Sequence, residues 1–235
     1  MLKLILLPGM DGTGKLFEPL ANQLNPTFAI QVVQYPTDQC LSYTELERLV
    51  QSALPASQPF VILAESFSTP LSVMCAAHNP PNLKGLILCA GFVTTPVRGW
   101  RRFLYSRLAP IVLNRALPDI VIRSFLAGSG APPSLQTAIQ SAISSVKPNV
   151  LVHRLHTILT CNVRAELATV TVPILYLQAK QDRLVKTSCL NEIQRIKPSL
   201  TVEQLRGPHL LLQREPDQSA AAIKAWLRGH EIWAP

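Results

Sequence analysis

Pro59-Phe60-Val61-Ile62-Leu63-Ala64-Glu65-Ser66-Phe67-Ser68-Thr69 decides how the rest of the chain is read. Phe60 to Ala64 is an apolar run of strand length. Glu65-Ser66-Phe67 follows, and a helix-like apolar stretch resumes from Leu71 to Ala77. A serine at a sharp strand-to-helix turn projects its hydroxyl out of the sheet, and the N–H of the next residue is free to bind an oxyanion. Such a turn admits only small residues two before and two after the serine, and Ala64 and Ser68 stand there. A buried strand that merely ends in a serine is the plainer reading, so the outlying sequence has to decide.

Working outward, strand-like and helix-like stretches alternate on both sides. Leu2 to Leu7 is a continuous apolar run, as in a parallel strand covered on both faces. A loop with three glycines, Pro8 to Gly14, leads to a helix-like Leu16 to Leu24, then a strand over Phe28 to Tyr35. Tyr43 to Leu54 has helical spacing, with Ser42 or Thr44 as N-cap and Glu45 and Glu47 in the first turn. Leu83 to Cys89, Pro173 to Gln178 and Leu200 to Leu205 read as further strands, and Ser188 to Ile196 and Asp217 to Leu227 as helices. Repeated βα units imply a parallel sheet with right-handed crossovers.

Residues 94–168 break the alternation. Apolar residues there fall at helical spacing, with several prolines and a Gly-Ser-Gly break at 128–130. Phe103, Leu104, Leu108, Ile111, Val112, Leu113, Ile120, Val121, Ile122, Phe125 and Leu126 would suit an acyl or alkyl group. The chain's formal +8 is also concentrated there. Between Pro96 and Ala165, the nine cations Arg98, Arg101, Arg102, Arg107, Arg115, Arg123, Lys147, Arg154 and Arg164 stand against a single acid, Asp119.

Taken together these features resemble the α/β-hydrolase superfamily in degenerate form. The Ser66 turn replaces Gly-x-Ser-x-Gly by Ala-x-Ser-x-Ser. Val172 to Val185 is similar to the family's acid segment and implies Asp182 as the acid, with Ala179 where glycine is usual. Arg206 to Pro216 resembles the C-terminal Gly-x-His segment and implies His209 as the base. Pro8-Gly9-Met10-Asp11-Gly12 sits where the family carries His-Gly-x-x-Gly, which implies an oxyanion hole of the Met10 and Phe67 N–H groups. The order Ser, acid, His is the family's. A plain loop aspartate at 182 and a phosphate cradle at 9–14 are the competing readings. The glycines fit neither Gly-x-Gly-x-x-Gly nor a P-loop. Glu65 is unusual for the family; pairing with a cation away from the site and tuning of Ser66 or His209 are both open readings.

The resemblance implies an α/β fold: a compact, mostly parallel sheet of about six strands flanked by helices. Residues 1–93 and 169–235 would form the core, and 94–168 an inserted helical cap. It implies a serine esterase that needs no metal or cofactor. Its ester would be a small molecule, or would be linked to an acidic acyl carrier protein as in pimeloyl-acyl carrier protein methyl ester esterases, with Arg101, Arg102 and Arg123 as docking residues. A short-chain carboxylesterase or thioesterase is the broader statement, and a non-catalytic binding protein on this fold the rival class. A nucleic-acid or membrane-surface binder using the basic cap lacks any reader motif.

At 235 residues and 48% apolar the chain supports one well-filled domain. No apolar run reaches the roughly 18 residues of a transmembrane span, and Met1 to Leu7 reads as a strand rather than a signal peptide. Five scattered cysteines without metal-ligand spacing suit reduced thiols in a cytoplasmic protein. A monomer is expected.

Overall fold

The computed structural model describes residues 1–97, 99–113 and 118–234. Arg98 and Arg115 fall outside these, as do the side chains of Arg101 and Arg102. Six strands form one wholly parallel sheet: β1 (Lys3–Leu7), β2 (Ala29–Val32), β3 (Phe60–Glu65), β4 (Leu83–Cys89), β5 (Ile174–Ala179) and β6 (Thr201–Leu205), in the order β2-β1-β3-β4-β5-β6. Eleven helices accompany them among the described residues. They are α1 (Glu18–Leu24), α2 (Tyr43–Ala53), α3 (Ser68–Ala77), α4 (Trp100–Leu113), α5 (Asp119–Val121), α6 (Pro133–Ser144), α7 (Pro148–Thr160), α8 (Arg164–Thr169), α9 (Thr187–Ile196), α10 (Leu211–Arg214) and α11 (Pro216–Gly229). α5 runs on into a π-turn at Ile122–Leu126. No helix among the described residues is long and apolar enough to cross a membrane.

Strand alternation divides the apolar side chains between two cores. Ile5, Leu7, Ile62, Ala64, Leu86 and Leu88 face one layer, with residues of α2, α3, α8 and α9. Leu4, Leu6, Val61, Leu63, Ile87 and Cys89 face the other, with α1 and α11. Period-2 projection is what makes each strand read as an unbroken apolar run. Gly85 shows how tight the second layer is: a Cβ there would lie 2.7 Å from the Trp226 ring.

Several boundaries differ from the sequence reading. β3 extends through Glu65, and α3 begins at Ser68 rather than Leu71. Pro70 does not delay that helix, because a proline in the first turn forfeits no intrahelical bond. β2 is shorter than 28–35, although the Val33 and Tyr35 N–H groups still bond to the Leu6 and Gly12 carbonyls. Ser42 caps α2 through a capping box with Glu45.

Between β4 and β5 the chain makes a helical excursion with its own small core. Ile122, Ile139, Val146, Val150 and Leu151 pack there with Leu16 and Leu210 from the sheet side. Its two stems meet through a bridge between Thr94 and Asn162 and a bond from Val163 N–H to the Val93 carbonyl (2.8 Å). The sequence boundary at 168 falls within α8, whose Leu167 is buried in the sheet-face core.

Gly85→Ala should cost about 1–3 kcal/mol, the usual penalty for overpacking a filled core. Urea denaturation checks this; an unchanged midpoint would mean that the Trp226 ring moves aside freely.

Candidate active site

The strand register brings the pieces together. Leu7 pairs with Ala64, so the loop after β1 and the turn after β3 leave the sheet side by side. β2 lies to one side of β1 and β3 to the other, so the strand order reverses here, and open parallel sheets bind ligands at such a point. Glu65 pairs with Cys89 and Ala179 with Leu205, which places the segments after β5 and β6 along the same edge.

Ser66 sits at φ +49°, the left-handed region a non-glycine residue seldom adopts. Strain of this kind costs on the order of 1–3 kcal/mol and persists where the surroundings enforce it. Here Ser66 N–H donates to the Cys89 carbonyl (2.9 Å), and its own carbonyl accepts from Thr69 N–H (3.0 Å).

The other two residues converge on it. His209 Nε2 lies 2.9 Å from Ser66 Oγ, and its Nδ1 lies 2.7 Å from Asp182 Oδ2. The second Asp182 oxygen accepts from Leu184 N–H (2.7 Å) and Val185 N–H (3.0 Å), which aims the carboxylate. A carboxylate can only accept, so Nδ1 carries the proton and Nε2 is left to accept from the serine hydroxyl. Burial disfavours the imidazolium, but the Asp182 charge and hydrogen bond, with help from Glu65, raise the His209 pKa above its ordinary value. The other histidines lie elsewhere: His78 on Glu47, His156 by Ser106, and His230 on the Trp226 carbonyl.

The loop from Pro8 to Gly12 is held at every carbonyl. Ser68 Oγ donates to the Pro8 carbonyl, Gly12 N–H to Gly9 (3.0 Å), Arg154 to Met10 (2.9 Å) and Asp11 (2.7 Å), and Tyr35 N–H to Gly12 (2.8 Å). The N–H groups of Met10 and Phe67 donate to no described atom of the protein. Ser68 thus does more than fit in glycine's place. Its hydroxyl also lies 2.6 Å from the Tyr35 hydroxyl, while the Tyr43 hydroxyl donates to the Phe67 carbonyl (2.7 Å).

Glu65 is buried against this machinery. Gln213 Nε2 donates to its Oε2 (3.2 Å), while Glu65 Oε1 and Gln213 Oε1 have no partner. Among the described residues it forms no ion pair, which removes the reading as a cation partner. Burial pushes its pKa up to about 7, opposed by His209 and Gln213. Among the described residues no three His, Cys, Asp or Glu side chains gather as metal ligands.

Among the described residues the cations of this segment do not form one free surface. Arg154 is buried, Arg164 pairs with Glu192, and Arg107 lies over the Phe103 ring (4.9 Å). Arg123 is exposed and donates to Gln136 Oε1 (3.2 Å). Of the apolar residues expected to meet an acyl group, Ile122 and Leu113 are buried, whereas Phe103 and Ile120 stand open to solvent, as does Trp100.

Solved structures share this architecture throughout. A bromoperoxidase from Bacillus anthracis superposes with a TM-score of 0.82 at 12% identity, covering 96% of this chain and 91% of that one. The chain has the α/β-hydrolase fold. A thermophilic esterase from Thermogutta terrifontis gives 0.78 at 18% identity, with 98% and 90% covered. A lipase-esterase related protein from Clostridium acetobutylicum gives 0.79 at 14% identity, with 95% and 93% covered. No protein-family model and no curated protein matches the sequence. Identities this low speak for the hydrolase fold alone.

Because native Glu65 holds its proton up to about pH 7 while the unfolded chain releases it near 4.5, stability should fall as pH rises between those values. Glu65→Gln should abolish that fall. It should also lower the pH at which His209 titrates, since a negative charge that favours the imidazolium is gone. Melting temperatures from pH 5 to 8 and imidazole NMR shifts measure both; a His209 midpoint that stays put would sever the two groups.

Proposed function

We propose that the chain is a serine hydrolase that cleaves carboxylic esters through an acyl-enzyme. The observation that carries this is the relay from Asp182 to His209 to Ser66, at 2.7 and 2.9 Å, ending on a serine at φ +49°. Nucleophile, base and orienting acid within hydrogen-bond reach are the signature of an activated hydroxyl. Several neighbours on the same fold are described as esterases, which supports the reaction class.

His209 Nε2 takes the proton as Ser66 Oγ attacks the ester carbonyl. The carbonyl oxygen gains charge and is held by the Met10 and Phe67 N–H groups, the latter at the N-terminus of α3, where the helix dipole also favours an anion. Asp182 keeps the imidazolium oriented without taking its proton. The proton passes to the departing alkoxide as the C–O bond breaks. Water, deprotonated by His209, then attacks the acyl-serine, and the proton returns to Ser66 Oγ as the acid leaves.

The exposed Trp100, Phe103 and Ile120 of the helical excursion suit an apolar acyl or alkyl substrate. Docking of an acidic carrier would have to rely on cations other than Arg154 and Arg164, which are already engaged.

Ser66→Ala and His209→Ala should each lower kcat for a short-chain p-nitrophenyl ester by four orders of magnitude or more, roughly the loss when one member of such a unit is removed. Asp182→Asn should cost about 10⁴-fold or less. Turnover of a chain-length series, beside an acyl-carrier methyl ester, reads both the reaction and its substrate preference. Near-normal hydrolysis by Ser66→Ala would overturn the assignment.

A further inference from the structure

Among the described residues Arg154 is the largest buried polar side chain, at 2% exposure. It comes from α7 in the helical excursion, yet among the described residues its side-chain hydrogen bonds all reach the sheet side. Nη1 donates to the Met10 and Asp11 carbonyls, and Nη2 to the Pro36 carbonyl (2.9 Å). No carboxylate forms an ion pair with it among the described residues. The guanidinium lies 5.8 Å from the Tyr35 ring centroid. Gly12, at φ +70°, leaves room for it: a Cβ there would stand 2.6 Å from Nη1.

A buried charge is costly unless its donors are met, and an apolar side chain would fill the same space more cheaply. What the guanidinium supplies beyond volume is two donations to successive carbonyls of one loop. The bond from Gly12 N–H to the Gly9 carbonyl fixes the Gly9–Met10 peptide plane. In a trans peptide that turns the Met10 N–H the opposite way. Arg154 fixes the next two planes. With Met10 held on both sides, its N–H cannot rotate out of line without stranding buried carbonyls.

We propose that Arg154 is a positioning residue for the oxyanion loop: it clamps the Met10 and Asp11 carbonyls so that the Met10 N–H is aimed before the ester arrives. This rests on the reading of Ser66 as the nucleophile. It gives the helical excursion a part in the chemistry apart from covering the substrate. The positive charge behind the loop also favours the anion formed in front of it.

The test uses the full chain, with Arg154→Met, Arg154→Lys and wild type compared on a short-chain p-nitrophenyl ester. Rates are divided by the Ser66 sites that an excess phosphonate labels at end point, so loss of folded protein does not count. Affinity for a trifluoromethyl ketone, which forms a tetrahedral adduct, is measured alongside. Arg154→Met should lower kcat per site by about 100-fold, within the range for losing one oxyanion donor. KM should hardly change, and the ketone should weaken by a similar factor. Lysine has one nitrogen and should recover only part of the rate. If Arg154→Met does not fold, Arg154→Lys carries the test, with kcat lowered and KM kept. Unchanged kcat per site in the folded variants, or a loss confined to KM, overturns the proposal alone. A wild type that neither turns over ester nor takes phosphonate on Ser66 overturns the hydrolase reading, and the proposal with it.

Discussion

The parallel pairing of β1 with β3 is the constraint on which the site depends. It ends with Leu7 opposite Ala64, so the Pro8–Gly12 loop and the Ser66 turn emerge as neighbours. Both strands are buried on both faces, and a slip of one residue would turn Leu7 and Ala64 toward the wrong layer. The register is therefore fixed by the two apolar cores, far more firmly than any contact at the site could fix it. The strained Ser66 backbone is a consequence: β3 must end and α3 begin within two residues.

Around that frame, buried polar groups hold what the sheet cannot. Ser68 links the Tyr35 hydroxyl to the Pro8 carbonyl, and Arg154 links the helical excursion to the next carbonyls. The excursion also reaches the other half of the site, where the Leu126 carbonyl accepts from Leu210 N–H (3.0 Å), next to His209. Such groups stabilise only when their partners stay in place, since a buried donor or acceptor left unmet costs about 1–3 kcal/mol. They make the site rigid rather than merely closed. Glu65 and Gln213 are the exception, each with one unpaired buried oxygen, and burial raises the Glu65 pKa in favour of its neutral form.

The sheet and the Ser66, Asp182 and His209 cluster were legible because they follow from order along the chain. Apolar runs mark the strands, and the three residues follow strand ends, where a parallel sheet gathers its loops. Small residues in place of glycine at 64, 68 and 179 did not hide them, since the turns require small size rather than glycine itself. The burial of Arg154 against the β1 loop was not legible. In sequence it is one of nine cations in a basic segment, and its burial depends on which face of α7 meets the β1 loop. The partnership of Glu65 with Gln213 spans 148 positions and leaves no local mark. The start of α3 lies earlier than the apolar stretch from Leu71 suggests, because its first turn is Ser68-Thr69-Pro70, which carries no apolar helical pattern.

The most direct measurement is a crystal structure of the protein after reaction with an alkyl phosphonate. The account predicts phosphorus bonded to Ser66 Oγ, with the phosphoryl oxygen about 2.7–3.1 Å from both the Met10 and Phe67 nitrogens. The Met10 and Asp11 carbonyls should still rest on Arg154. Phosphorus on another residue, or a phosphoryl oxygen turned away from the Met10 loop, would contradict it.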